Sequence, residues 1–440
     1  MIEQLVVLHV LLLFFIYRAF KRDFTSPSFI FIGGFALASY IAYSYKNEWN
    51  MELLHSNTFW VIASGSITFF LVELFYRKKY SYQNNPPVFN QNATRLSTNK
   101  LIIFAIFQTL IYFLYYRKQM SFVGYGDWSD AISAIDQDNK FGDKSFSVPV
   151  YIKIPHAFCQ VSGYVWICLF SYYLKLSKSY NKIKLLLGIN MVLSMFGSLL
   201  SGGRMPLLGY ILPLGIMLYL LHRRKNQKSQ GSFKQQLGLV LVGVIFILSF
   251  SKIGSMIGRH ETDNMSAEYV FAVYCGAPIK NLDLYINSSE PTLMNKDVPF
   301  PSTLYAFYEF FSTRLGFNIK MKEQSYSFLS NGEYFLGNVY TCYRSFYNDT
   351  KMFSFILAGF MALLACILHR RFRNSTFFQT GVVDINVFLY CFFSMGLVLS
   401  FFSELFLRRL LSVEYFIRTT IYFYMVIYIL YGKIPSKHKV

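Results

Sequence analysis

The chain has 440 residues, of which 54% are hydrophobic and only 15% charged, and its formal net charge is +19. A soluble chain of this size would carry about a quarter charged residues, so a soluble nucleic-acid binder is excluded in favour of a membrane protein whose Lys and Arg collect in loops. No CxxC pair, GxxxxGK[ST], GxSxG or HExxH stretch occurs, which argues against a redox dithiol, ATP hydrolysis, a nucleophile-elbow serine and a zinc-protease helix.

Apolar runs near 20 residues recur along the whole chain, long enough to cross a ~30 Å hydrocarbon layer as helices. In order they are Leu5–Phe20, Pro27–Tyr45, Phe59–Tyr76, Leu101–Tyr116, Val148–Leu174, Ile183–Leu200, Pro206–Leu221, Leu237–Ile257, Met352–His369, Ile385–Phe406 and Phe416–Tyr431. This predicts an all-α, polytopic integral membrane protein with about 11 transmembrane helices. The first run, "LVVLHVLLLFFIYRAF", has no basic region before it and no small-residue cleavage site, and reads as a span.

Loop charge predicts the orientation. Arg18/Lys21/Arg22, Arg77/Lys78/Lys79/Arg95/Lys100, Lys175/Lys178/Lys182/Lys184, Arg223/Arg224/Lys225/Lys228/Lys234, Arg370/Arg371/Arg373 and the tail Lys433/Lys437/Lys439 fall in alternate loops, with Asp23 as an acidic exception. The positive-inside rule makes these cytoplasmic, with the amino terminus periplasmic and the carboxyl terminus cytoplasmic. The domains expected are membrane helices over 1–257, one large late periplasmic loop over 258–350 and membrane helices over 351–440. That loop holds seven Lys/Arg against ten Asp/Glu, and its aromatic stretches "YVFAVY" and "STLYAFYEFF" suit short amphipathic helices. It also contains Cys275 and Cys342, which either pair or remain free thiols; Cys159, Cys168, Cys366 and Cys391 lie within apolar runs and suit packing.

The chemistry-bearing residues gather on the outer side. In "SGGRMPLLG", Arg204 lies in a tight turn ahead of Pro206, and a helix N-terminus beside a guanidinium suits a phosphate or pyrophosphate; the plainer alternative is a snorkelling anchor. In "GRHETDN", Arg259, His260, Glu261 and Asp263 crowd where the eighth run emerges, combining a cation with acid–base groups; the alternative is an interfacial polar cap. In "GNVYTCYRSFYNDT", Tyr340, Tyr343, Arg344, Tyr347 and Asp349 offer ring faces for sugars beside a cation, or an aromatic belt. Arg408, Arg409 and Arg418 in "SELFLRRLLSVEYFIRTT" add cations, with Glu404 four residues before Arg408, and Arg314 in "FFSTRLGFN" adds another. The DxD triplet in "DQDNKFGD", Asp136 to Asp143, lacks the spacing of a calcium loop, so no metal or other cofactor is expected. His156 reads as a packed polar residue.

Together "SGGRMPLLG", "GRHETDNMSAEYVFAVYCGAPIKNLDLY" and "GNVYTCYRSFYND" resemble the bacterial oligosaccharide repeat-unit polymerases, the O-antigen polymerase (Wzy) family. In that family the last motif usually carries an Arg-Pro and closes on Asp-Phe-Gly; here Ser345 replaces the proline and Thr350 follows Asp349. The resemblance implies a GT-C-like architecture in the bacterial inner membrane and a metal-independent glycosyltransferase. Its donor would be a growing glycan on undecaprenyl pyrophosphate and its acceptor a single lipid-linked repeat unit. On this reading Arg204, Arg259, His260 and Glu261 are catalytic, while Arg314, Tyr340, Arg344, Arg408, Arg409 and Arg418 bind substrate. Partners implied are undecaprenyl-pyrophosphate-linked oligosaccharides, membrane lipid and a chain-length regulator of the Wzz type. The rival readings are an O-antigen ligase and a lipid-linked oligosaccharide flippase or other transporter. The transporter needs charges deep within the spans, whereas the charges here cluster at the outer surface.

Overall fold

A computed structural model describes residues 1–80, 96–124, 127–141, 146–200, 205–225, 266–288, 298–319 and 328–432. They are mostly helical. Helices α1 (Ile2–Ala19), α2 (Pro27–Ser44), α3 (Ser56–Lys79), α4 (Thr98–Val123), α5 (Trp128–Phe141), α6 (Val150–Leu174), α7 (Asn181–Leu199) and α8 (Met205–Lys225) come first. Helices α9 (Ala267–Cys275), α10 (Ala277–Asn287) and α11 (Tyr305–Leu315) precede an antiparallel hairpin of β1 (Leu329–Asn331) and β2 (Tyr334–Gly337). Then come α12 (Tyr343–Thr350), α13 (Ser354–Arg373), α14 (Phe377–Thr380), α15 (Ile385–Val398), α16 (Phe406–Leu411) and α17 (Val413–Tyr431).

Among the described residues, eight helical stretches are long and apolar enough to cross a membrane, and the shorter apolar stretches Gly209–His222 and Ile385–Phe401 join them. The chain is therefore built as a multi-pass helical membrane protein. The expected span Leu237–Ile257 lies outside the described residues; every other expected span meets a helix. One boundary differs. The run expected to reach Phe406 stops at Phe401, because the Glu404 carboxylate accepts the backbone N–H groups of Leu407 (2.8 Å) and Arg408 (3.1 Å) and so opens α16. "YVFAVY" lies in α9 and "STLYAFYEFF" leads into α11.

The chain forms two compact units. The first comprises Met1–Asn84, Glu268–Arg373 and Phe393–Ile417. Here α13 packs along α3, and α1 and α2 complete the layer. The buried His9 imidazole joins three helices, with Nδ1 2.9 Å from Ser39 Oγ and Nε2 3.2 Å from Ser66 Oγ. The Phe31 and Phe69 rings stack at 4.2 Å beside it. At the basic end of this unit, Arg77 reaches Glu73 at 2.6 Å and Asp23 at 3.2 Å, and Arg373 lies 3.9 Å from Asp23. Glu73 also accepts the Ser28 N–H (2.7 Å) and the Ser26 hydroxyl (3.1 Å). Thr25 donates to Asp23 at 2.7 Å and contacts His369 Nε2 at 3.2 Å. Burial alone would raise the Asp23 carboxyl, but the Arg373 and Arg77 guanidiniums hold it well below the usual carboxylate range. The turn from α1 to α2 is thereby tied to the last turns of α3 and α13.

The second unit comprises Asn85–Ala267, Asn374–Phe392 and Arg418–Val440. Helices α4, α6 and α7 pack together, and buried polar side chains join α4 to α7. Gln108 Nε2 donates to Asn190 Oδ1, Ser194 Oγ donates to Gln108 Oε1, each at 2.7 Å, and Asn190 Nδ2 donates to the Leu101 carbonyl at 3.1 Å. His156 is a packed polar residue, stacked on Tyr115 at 4.2 Å with Nε2 3.3 Å from the Gly197 carbonyl. Asp138 of the DxD triplet sits on helix α5, where its carboxylate accepts the Phe146 N–H at 2.9 Å. All six cysteines are buried free thiols, Cys275 and Cys342 included.

Candidate functional site

A cluster of polar and aromatic groups in the first unit lies at the end opposite Arg77, where α3 begins. Helix α10 organises it. Pro278 stands in its first turn, and Gly276 just before it allows a close pass over α2: a Cβ there would meet Ala42 N and Ile41 Cγ2, each at 2.8 Å. Lys280, Asn281 and Asp283 on α10 are buried, and each has a distinct task. Asn281 Nδ2 donates to the carbonyls of Leu336 (3.0 Å) and Val339 (2.9 Å), which fixes the chain leaving β2 and delivers Tyr340. The hairpin itself turns through Gly332 and Glu333, with Gly332 at φ +59°.

Tyr340 and Arg344 are brought together. The guanidinium carbon of Arg344 lies 4.0 Å from the Tyr340 ring centre and 4.4 Å from that of Tyr285 on α10. The two rings stand 6.1 Å apart at 76°. The planar cation is thus held against two aromatic rings, a cation–π cluster. The neighbours are held in turn: the Tyr285 hydroxyl donates to Asn348 Oδ1 at 2.5 Å, and Asp349 accepts the N–H groups of Ser302 (2.9 Å) and Thr303 (2.8 Å). Beneath them Tyr343 is fully buried, its ring laid directly on Gly65 of α3, where any Cβ would overlap it. The Cys342 N–H donates to the Ser400 carbonyl at 2.8 Å, anchoring the start of α12.

Asp283 is the least expected member. Its carboxylate is fully buried and faces the first turn of α3. It accepts the His55 backbone N–H (3.1 Å) and the Thr58 hydroxyl (2.7 Å), and both of its oxygens lie 3.2 Å from His55 Nδ1. Asn287 Nδ2 adds a contact at 3.4 Å and Lys280 Nζ lies 3.9 Å away. Burial lowers the Lys280 pKa, while Asp283 works in the opposite direction. The His55 side chain is 54% exposed, so the imidazole stands between a buried carboxylate and open space.

The other predicted binding residues lie elsewhere. Arg314 forms an exposed ion pair with Glu414 at 3.1 Å, and Arg408 stands 6.0 Å from the Tyr305 ring centre. These contacts join α11 to the segment from α16 to the start of α17. Arg409 is half-buried on α16. Glu404 meets Arg408 through the backbone cap already described. Burial raises the Glu404 carboxyl to about 8, against the opposing effect of the Leu407 and Arg408 groups. Arg418 falls in the second unit. Arg204, Arg259, His260 and Glu261 lie outside the described residues. Among the described residues no group of three or more His, Cys, Asp or Glu is arranged to hold a metal ion.

No family model, curated protein or solved structure matches the chain. Its function is therefore argued from its own residues.

Proposed function

We propose that the chain is an O-antigen polymerase, a membrane-embedded glycosyltransferase that extends a glycan carried on undecaprenyl pyrophosphate at the periplasmic face of the bacterial inner membrane. The observation that carries this reading is Arg344 held against Tyr285 and Tyr340, at the end of the first unit away from its Arg77 cluster. A lipid-linked sugar diphosphate presents the two chemistries such a pair of rings and a guanidinium recognise: a sugar face and an anion. In the reaction the acceptor hydroxyl attacks the anomeric carbon of the donor, and the lipid pyrophosphate departs with the bonding pair. Arg344 is assigned to substrate binding; Arg204 and Arg259 are assigned to the departing pyrophosphate on the strength of their motifs alone, with His260 and Glu261 as the acid–base pair those motifs imply.

The polar side chains Gln108 of α4 and Asn190 and Ser194 of α7 favour an enzyme over a transporter, since both α7 residues bond to Gln108. Deleting the gene in its host and separating the glycans by size tests the proposal. A polymerase leaves the lipid A core bearing one repeat unit, and wild-type protein but not Arg344→Ala restores the ladder. A ligase instead leaves bare core with lipid-linked polymer accumulating, and a transporter leaves repeat units unexposed to the periplasm.

A further inference from the structure

The Asp283–His55 pair has the arrangement of a general base that no motif in the sequence announces. A carboxylate only accepts hydrogen bonds, so His55 Nδ1, 3.2 Å from both of its oxygens, carries the proton. In the neutral ring the lone pair is then on Nε2, on the far edge of a ring whose side chain is 54% exposed. The carboxylate cannot turn away. It is fully buried and is held by the Thr58 hydroxyl at 2.7 Å and the His55 N–H at 3.1 Å. This is the division of labour in which a buried acid fixes the tautomer and orientation of an imidazole and stabilises its protonated form.

The pair adjoins the Arg344 cluster. Asp283 and Tyr285 are two residues apart on α10, about 3 Å along its axis, and Tyr285 touches Arg344. Helices α3, α10 and α12 pack on one another. Along α10, Asp283 meets Thr58 at the start of α3 and Tyr285 meets Arg344 on α12.

We propose that His55, positioned by Asp283, is the base that takes the proton of the acceptor sugar hydroxyl, the role that the "GRHETDN" motif suggests for His260. The proposal rests on the polymerase reading above. The acceptor O–H proton passes to His55 Nε2 as the acceptor oxygen bonds to the anomeric carbon of the donor. The bond from that carbon to the diphosphate oxygen breaks, and its electron pair leaves with the lipid diphosphate. The imidazolium then returns its proton to water at the exposed edge of the ring.

The test uses full-length protein in proteoliposomes, supplied with lipid-linked repeat units extracted from a host strain lacking the gene. Chain elongation is followed on gels for wild type, His55→Ala, His260→Ala and Arg344→Ala, each checked for a wild-type melting temperature. The expected result is a loss of ~100-fold in His55→Ala, the usual size of a general-base contribution, restored in part by added imidazole, which enters the vacated exposed site. Restoration by a small base is a response that a merely structural histidine does not give. Near-wild-type elongation in His55→Ala overturns the proposal, as does a loss that imidazole leaves unchanged. If wild type itself elongates nothing, the polymerase reading fails and the base assignment falls with it. If wild type elongates, Arg344→Ala is dead and His55→Ala is normal, the base assignment alone is wrong. Thr58→Val, which removes one restraint on Asp283 but leaves His55 in place, should give a smaller loss that imidazole does not repair.

Discussion

The Arg77 guanidinium lies 3.2 Å from the Asp23 carboxylate, with the two side chains only 15% and 5% exposed. Removing one partner of such a buried pair leaves the other charge without compensation, which typically costs about 3–5 kcal/mol. Arg77→Ala should therefore lower the melting temperature of detergent-solubilised protein sharply. Arg77→Lys should fall between, because Arg77 serves Glu73 and Asp23 at once through a guanidinium fork. A variant that melts like wild type would remove the network from the account of stability.

The same pair has a pH signature. The Asp23 carboxyl is held below its ordinary value in the folded protein, so the unfolded chain takes up its proton first as pH falls. The stabilisation is complete above the ordinary carboxylate pKa of about 4 and is lost as pH drops below it. Melting curves from pH 7 down to 3 should lose stability less steeply for Asp23→Asn than for wild type, starting from a lower value at pH 7.

Glu404 predicts the opposite sign. With its carboxyl raised to about 8 in the folded state, the folded protein keeps a proton that the unfolded chain gives up near pH 4. Stability from this group is full below about 4 and declines as pH rises towards 8. Glu404→Gln still accepts the α16 N–H groups through its amide oxygen. It should match wild type below about pH 4 and melt higher at pH 8.5. Equal pH slopes in the two proteins would refute the buried-acid description.

Gly65 and Tyr343 set a packing prediction. Any side chain at position 65 overlaps the Tyr343 ring, and overpacking of this kind costs about 1–3 kcal/mol. Gly65→Ala should destabilise and also disturb Arg344, the next residue, lowering activity. Combining it with Tyr343→Ala should be less destabilising than the sum of the two single changes, and additive effects would show that the sites do not touch.

For Arg344 the test is geometric. Lysine keeps the charge but not the planar face that meets Tyr285 and Tyr340. Arg344→Lys should retain less than a tenth of wild-type elongation, with Tyr285→Phe far milder because its ring remains. A lysine variant of full activity would reduce the site to simple charge attraction.

Hydropathy made the membrane helices legible, because a span must bury its whole backbone in one continuous apolar run. The break after Phe401 was harder to read, since what interrupts the run is the cap of the next helix, made by one carboxylate within a hydrophobic neighbourhood. The hairpin did leave a signal, the Asn331–Gly332 pair flanked by aromatic residues. Tyr340 and Arg344 were visible as a motif because one short segment carries both. Tyr285 and Asp283 close the stretch that begins at Gly258 but carried no role there, and His55 stood in no motif. His55 and Asp283 are 228 positions apart, and only the packing of α10 against α3 gives them a joint meaning.

The first unit is assembled from three stretches of chain, with the second unit's longest stretch intervening, and this has a consequence for synthesis. Thr25 and His369, in contact at its basic end, are 344 residues apart. At ~5–20 residues per second, the ribosome needs tens of seconds to make that interval, and throughout it Asp23 and Glu73 are already at the membrane without Arg373 or His369. Arg77 is the cation that emerges with them, one helical turn after Glu73. It acts as their chaperone within the chain. Losing Arg77 should therefore reduce the amount of protein that reaches the membrane intact more than losing Arg373, although both guanidiniums meet the same carboxylate in the finished fold.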